Sequence, residues 1–238
     1  MELRIDVKNK ATKIIVTYKD IKSVRLKVFP THEIKLSVPL DTPEEWINNY
    51  VKSKSKWIEE KLQLFEQTKA IEKETNIKSG VSTRILGRQM KIRVLYSKQK
   101  RVTIENMEVH LYTNCPENQD AIDRQFNNWW QKSSKQCFVM QLDKLYPIIE
   151  KHGIAKPNVV VKKMKTLWGS CSRNRGIINL NYYLYKAPIP CIEYVILHEL
   201  THFLYPYHNK DFYDFLTIYM PDWKERKRQL DYEIVLGV

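Results

Sequence analysis

No stretch of this chain approaches the roughly 18 uninterrupted apolar residues that a membrane-spanning helix requires, so no spanning anchor is expected along its 238 residues. The first thirteen residues alternate charged and apolar side chains without a continuous apolar core. No secretory leader is expected there either, and the chain reads as cytoplasmic. Cysteine is scarce: Cys115, Cys137, Cys171 and Cys191 include no C-x-x-C pair, which removes a four-cysteine zinc knot, and a chain of this length does not need disulfides. They read as reduced, mostly buried thiols. Internal repeats and low-complexity tracts are lacking too. One long segment lacks acid altogether. From Lys151 to Lys186 there is no Asp or Glu, while Lys151, Lys156, Lys162, Lys163, Lys165, Arg173, Arg175 and Lys186 all fall within it. In a chain of net charge +13, such a block sets up a local positive field able to attract a nucleotide or a nucleic acid. A plain solvated surface accounts for it equally well, and charge alone leaves both open.

What is present points to a globular enzyme-sized chain. Hydrophobic residues make up 43% and aromatics 11%, enough to bury a sizeable core and to exclude disorder throughout. The length suits a catalytic domain preceded by an accessory region, here expected as residues 1–115 and 116–238. Near the start, Ile14, Val16 and Tyr18, then Val24, Leu26 and Val28, then Ile34, Leu36 and Val38 mark three short strands; the last two alternate strictly, so one face of each is buried. Asp41, Thr42, Pro43, Glu44 and Glu45 form a helix start, with a capping side chain and acids against the dipole. The apolar spacing carries that helix to about Ala70. Strands return over 81–113, with turns at Leu86, Gly87 and Arg88 and again over 97–100. A long helix is expected over about 117–151, then a strand through Val159, Val160 and Val161. A loop over 169–176 would lead into a strand at Ile177, Ile178, Asn179 and Leu180 that completes a hairpin with it. The rest is helical: one helix near 191–204 stopped by Pro206, a second capped by Asn209, and a short charged one from Trp223.

The decisive segment is His198, Glu199, Leu200, Thr201 and His202, an HExxH motif. On a helix, residues four apart lie about 40° from one another and one turn along, so both imidazoles reach one metal ion. Glu199 lies beside them, near a water held in the metal's open position. Zinc lowers the pKa of such a water to about 7, and a neighbouring carboxylate can accept its proton as it attacks a carbonyl. A third protein ligand is required. His208 stands beyond Pro206, where the helix has ended and the chain must turn, and three histidines plus water is an established catalytic zinc arrangement.

The ordered series Trp168, Gly169, Ser170, Cys171, Ser172; Ile178, Asn179, Leu180, Asn181; Tyr194 through His202; His208, Asn209, Lys210, Asp211, Phe212; and Met220, Pro221, Asp222, Trp223, Lys224 resembles the YgjP-like family, small zincin-fold proteins related to the SprT-like and WLM metallopeptidases. The resemblance covers most of the chain. It implies an α+β fold, with an N-terminal strand-and-helix region followed by a zincin-like, minigluzincin-type catalytic domain. It also implies one zinc ion at His198, His202 and His208, with Glu199 as catalytic acid and base. The same histidine spacing occurs in metzincins, but those carry glycine where this chain has Tyr205, and no downstream methionine turn is evident. Trp168 and Ser170 fall where a wall of the active site is expected; a core Trp168 and a turn-forming Ser170 fit equally. If Lys163, Lys165, Arg173 and Arg175 serve a polyanion, strand alternation puts Lys163 and Lys165 on one face, with the two arginines closing the rim by bidentate phosphate contacts.

Three functions follow, in this order. The first is a zinc metallopeptidase acting on peptide or protein. The second is a metal-dependent nucleoside triphosphate pyrophosphatase, since members of the group have been associated with nucleotide pyrophosphate hydrolysis. The third is a DNA-associated, non-catalytic zinc protein, the weakest because a structural zinc needs a fourth protein ligand and has no use for Glu199. Fold does not settle substrate.

Overall fold

The computed structural model describes residues 2–7, 10–21, 23–29, 32–67, 76–164 and 167–233. They divide into two compact units, one within residues 2–67 and one within residues 76–233.

The first unit is a four-stranded sheet with two helices. Its strands are β1 (Glu2–Val7), β2 (Lys10–Lys19), β3 (Arg25–Val28) and β4 (Ile34–Pro39), in the order β1-β2-β4-β3. β2 and β4 run parallel and the other two pairs antiparallel. The alternation read in the sequence sets the buried face: Ile34, Leu36 and Val38 are fully buried and pack with Ile14, Val16, Ile47, Val51, Ile58 and Leu62. The single helix expected from residue 42 to about 70 is two, α1 (Glu44–Ser53) and α2 (Ser55–Gln67); residues 68–70 lie outside the described part. At the break, the Ser53 hydroxyl donates to the Tyr50 carbonyl at 2.7 Å, a local bond of the kind that competes with helix continuation. The apolar stripe survives it, because Val51 and Ile58 are seven residues apart and both are buried.

The second unit has two sheets and five helices among its described residues. β5 (Ser82–Ile85), β6 (Arg88–Tyr96), β7 (Arg101–Glu105) and β8 (Glu108–Thr113) pair in the order β5-β6-β8-β7. Alternation on β8 turns Val109 and Leu111 into the same core that receives Ile122, Phe126 and Trp130 of the long helix α3 (Gln119–Leu145). The boundary expected near residue 115 therefore falls inside this unit: the strands before it and the helix after it share one core. α3 is capped by Asn118, whose side chain accepts from the Ala121 amide at 3.0 Å. A short α4 (Pro147–Glu150) follows where a continuous helix to 151 was expected, and Pro147 can only open a helix, not continue one.

The second sheet differs from its sequence reading. β9 (Asn158–Lys162), β10 (Gly169–Ser172) and β11 (Ile177–Asn181) pair in the order β10-β11-β9. β9 runs parallel to β11, so the two do not form a hairpin. The hairpin is β10 with β11, in the register Gly169 opposite Leu180 and Cys171 opposite Ile178. Residues 169–172, expected as loop for their Gly and Ser content, are a strand because the ladder to β11 overrides weak local propensity. The remaining helices are α5 (Ile189–Thr201), α6 (Lys210–Tyr219) and α7 (Trp223–Glu233). Asn209 caps α6 as expected, accepting from the Phe212 amide at 3.1 Å. The fold is α+β, and in the second unit a small mixed sheet packs on the helix that bears the two-histidine motif.

The start of α5 is pinned from outside. The turn between β5 and β6 has Leu86 at φ 51° and Gly87 at φ 81°, and their amides donate to the carbonyls of Tyr185 and Lys186, both at 2.9 Å. A side chain at Gly87 would meet Pro188 Cγ at 2.9 Å, so only glycine allows this approach at that backbone angle.

Candidate metal centre

α5 is the most apolar of the longer helices among the described residues. Cys191, Ile192, Val195, Ile196, Leu197 and Leu200 are buried around it, Glu199 and Thr201 of the motif are buried with them, and His198 is partly exposed. His198 lies inside the helix, and His202 forms its C-cap with φ −65° and ψ −18°. The last turn is therefore still helical, and the rings of the two histidines sit 5.0 Å apart. Beyond the cap the chain reverses through Tyr205, Pro206 and Tyr207, bringing the His208 ring to 4.9 Å from His198 and 4.7 Å from His202.

One nitrogen from each of these three side chains lies within 4.8 Å of the others, the one such group of three or more His, Cys, Asp or Glu among the described residues. Nε2 of His208 and Nε2 of His198 are 3.0 Å apart. A tetrahedral zinc with bonds of about 2.1 Å separates its nitrogens by about 3.4 Å. The three nitrogens thus need only small adjustments to surround one ion. The donor set is also in the right protonation state, because metal binding requires neutral imidazole. Burial pushes His198 down to about 3, with the like charges of His202, His208 and Lys227 adding to it. Burial likewise lowers His202 and His208. The residues present fit a zinc ion.

The other candidate residues around this group fall in different places. Glu199 is 6% exposed. Burial raises its pKa to about 8, opposed by a hydrogen bond from the Cys171 backbone N–H. β10 lies directly against it: a Cβ placed on Gly169 would stand 2.7 Å from Glu199 Oε1 and 2.8 Å from its Cγ. Trp168 packs half-buried on the core, and Ser170 Oγ accepts from Asn179 Nδ2 at 3.1 Å. Arg173 and Arg175 are exposed on a 3₁₀ turn that follows β10. Arg173 is near enough to oppose protonation of His202 and to lower the Cys171 thiol, which burial pushes up to about 12. Lys163 lies beyond the end of β9, with its ammonium over the Tyr182 and Tyr183 rings at 5.3 and 5.9 Å. Lys165 lies outside the described residues.

The roles of several residues of this centre escaped the sequence reading, although the residues stand in the motif series. Gly169 is one, although a glycine inside a strand is a signal for close approach of another group. Its backbone is ordinary, so the requirement is for space. Gly169→Ala is expected to displace the Glu199 carboxylate while leaving the histidines in place. Metal stoichiometry should be unchanged, and any hydrolysis that depends on the Glu199 carboxylate should fall by about 100-fold, the usual cost of a misplacement of about 1 Å. An unimpaired rate would show that β10 gives way instead. Phe212 is another: fully buried, it touches all three histidine rings at centroid distances of 4.8 to 4.9 Å. Asn181, fully buried, donates to the carbonyls of Met164 and Leu167, both at 2.8 Å, and so ties down the approach to β10. Nothing in local spacing distinguishes Phe212 and Asn181 from ordinary core or turn positions.

Comparisons with known proteins bear on this arrangement. The crystal structure of the metallopeptidase zymogen of Methanocaldococcus jannaschii jannalysin overlaps this chain with 24% identity and a TM-score of 0.34, covering 39% of this chain and 92% of that one. A search of curated protein sequences found no match. A family profile described as YgjP-like, metallopeptidase domain, matches residues 22–233 and takes in both motif histidines, Glu199 and His208. With nearly its whole length matched, the chain belongs to the YgjP-like metallopeptidase family.

Proposed function

We propose that this chain is a zinc-dependent peptidase in which His198, His202 and His208 hold the metal and Glu199 is the general base. The observation that carries the reading is the meeting of three neutral imidazoles within 4.8 Å beside one buried carboxylate that no cation neutralises among the described residues. When bound, the ion supplies acidity, lowering the pKa of a water toward 7 and polarising the scissile carbonyl. Glu199 takes the proton from that attacking water and delivers it to the leaving amine. Burial alone favours the protonated form of Glu199 in the metal-free protein; a cation held by the three histidines would favour the ionised carboxylate that accepts the proton.

The sheet supplies a place for the substrate. β10 is an edge strand, and the N–H of Cys171 on it is spent on Glu199, so its open side runs past the catalytic carboxylate. An extended peptide adding to that edge by main-chain hydrogen bonds would lay a peptide carbonyl across the metal centre. A nucleotide has no corresponding use for a strand edge, so peptide ranks ahead of triphosphate. The deciding experiment is an assay of the zinc-loaded and chelated protein on casein and on nucleoside triphosphates. Zinc-dependent cleavage of casein is expected; cleavage of triphosphates alone would overturn the peptidase reading.

The basic stretch is kept separate from the chemistry. Arg173→Gln combined with Arg175→Gln is expected to leave cleavage of a short neutral peptide within a few-fold of wild type. DNA affinity should drop and its salt dependence flatten by about 0.9 for each phosphate that is no longer neutralised. DNA binding unchanged in both respects would make the stretch a solvated face.

A further inference from the structure

The three histidine rings are oriented by different means. His198 is held within α5. His202 has its Nδ1 within 3.1 Å of the Tyr205 carbonyl, the kind of outer contact that ordinarily fixes the plane of a metal-binding imidazole. His208 has neither advantage. It is exposed, it lies in the loop between α5 and α6, and among the described residues its hydrogen-bonding contact is the one with His198.

Ring packing takes the place of the missing hydrogen bond. Tyr213 lies nearly parallel to the His208 ring, with centroids 6.1 Å apart and an interplanar angle of 26°, while Phe212 meets the same ring edge-on at 4.8 Å and 90°. Tyr213 is 38% exposed, and its own ring is backed by Trp223 at 5.3 Å and 18°. Trp223 is buried at the start of α7, its indole N–H donating to Thr217 Oγ1 at 3.0 Å. Behind it lies Tyr194 of α5, at 6.4 Å and 12°, and Tyr194 reaches the His198 ring at 5.9 Å. A column of three aromatic rings, one from each of α6, α7 and α5, thus runs from one imidazole to another. Arg226 braces it, joining α7 to α5 through Glu193 at 2.8 Å.

The geometry points to Tyr213 as the residue that positions the His208 imidazole for the metal, with Trp223 as its backing. This rests on the ligand role proposed for His208. Tyr213 acts through that ring and is a positioning residue, so its effect belongs in metal affinity rather than in chemistry alone. Only the ring is required: the flat face restrains the imidazole plane, and an aliphatic side chain of similar volume does not.

The test is a zinc titration of the full chain against a chromophoric chelator. The variants are Tyr213→Phe, Tyr213→Leu and Tyr213→Met, with His208→Ala as reference and the melting midpoint of each metal-free protein as a check on folding. Tyr213→Phe should bind zinc within about twofold of wild type. Tyr213→Leu and Tyr213→Met should each lose about 10- to 100-fold in affinity, the usual cost of removing an outer support, with metal-free midpoints close to wild type. Because Tyr213 is partly exposed, both should fold, and agreement between the two separates loss of the ring from a packing fault peculiar to one of them. Wild-type affinity in Leu and Met, with affinity lost in His208→Ala, would overturn the positioning role and leave the ligand set standing. Wild-type affinity in His208→Ala would overturn the ligand set itself, and this inference with it.

Discussion

Glu199→Gln is expected to keep one equivalent of zinc and to lose hydrolysis by about 10²- to 10⁴-fold, the usual cost of removing a general base. The amide keeps the size of the carboxylate and can still accept from the Cys171 N–H, so β10 should stay in place. It cannot take a proton from water. A fold control comes with the same variant. Burial raises the folded pKa of Glu199 from 4.5 to about 8, so ionising it in the metal-free protein costs stability that an unfolded chain does not lose. That cost is absent below about pH 4.5, grows as the pH rises, and is complete by about pH 8. Metal-free Glu199→Gln should therefore become progressively more stable than metal-free wild type across that window, a gap readable by thermal melts at several pH values. Activity within a few-fold of wild type would remove Glu199 from its role. Glu193 is a poor substitute, being paired with Arg226 at 2.8 Å.

His198→Ala, His202→Ala and His208→Ala should each weaken zinc binding by more than the roughly 100-fold that loss of an outer support costs, and abolish hydrolysis with it. Each removes one donor of three, and the remaining pair cannot close a tetrahedral site with a single open position. His208→Ala is the most informative, because the ligand role proposed for His208 follows from a chain reversal rather than from helical spacing. Equilibrium dialysis with zinc reads the result directly. Full occupancy in His208→Ala would send the search for a third ligand to Asp211 or Asp214. Asp214 is engaged by Lys210 at 3.0 Å, so the larger part of that search would fall on Asp211.

Family and fold class were readable because several short signals occur in a fixed order. The HExxH spacing fixes the relation of His198 to His202 through helix geometry alone, and the structure keeps that relation even at the C-cap. Alternation in β4 assigns its buried face, and Asn209 announces the start of α6. These are local properties, set within a turn or a strand by periodicity and capping. Strand pairing was not local. Val159, Val160 and Val161 mark a strand, but nothing in them says whether its neighbour runs parallel or antiparallel, and Gly169 to Ser172 have too little β propensity to show as a strand until β11 supplies the ladder.

The sequence by itself determined the chemistry available to this chain: three histidines, one carboxylate among them, and the helix that sets two of those histidines side by side. The tertiary structure decided how that chemistry is assembled. It brings His208 against α5, presses Gly169 onto Glu199, and stacks Tyr213, Trp223 and Tyr194 beside the imidazoles. Residues close along one helix are held together by backbone geometry that any sequence of suitable propensity adopts. Residues from β10, α5, α6 and α7 meet only because a common core buries their neighbours, and no spacing along the chain records that meeting.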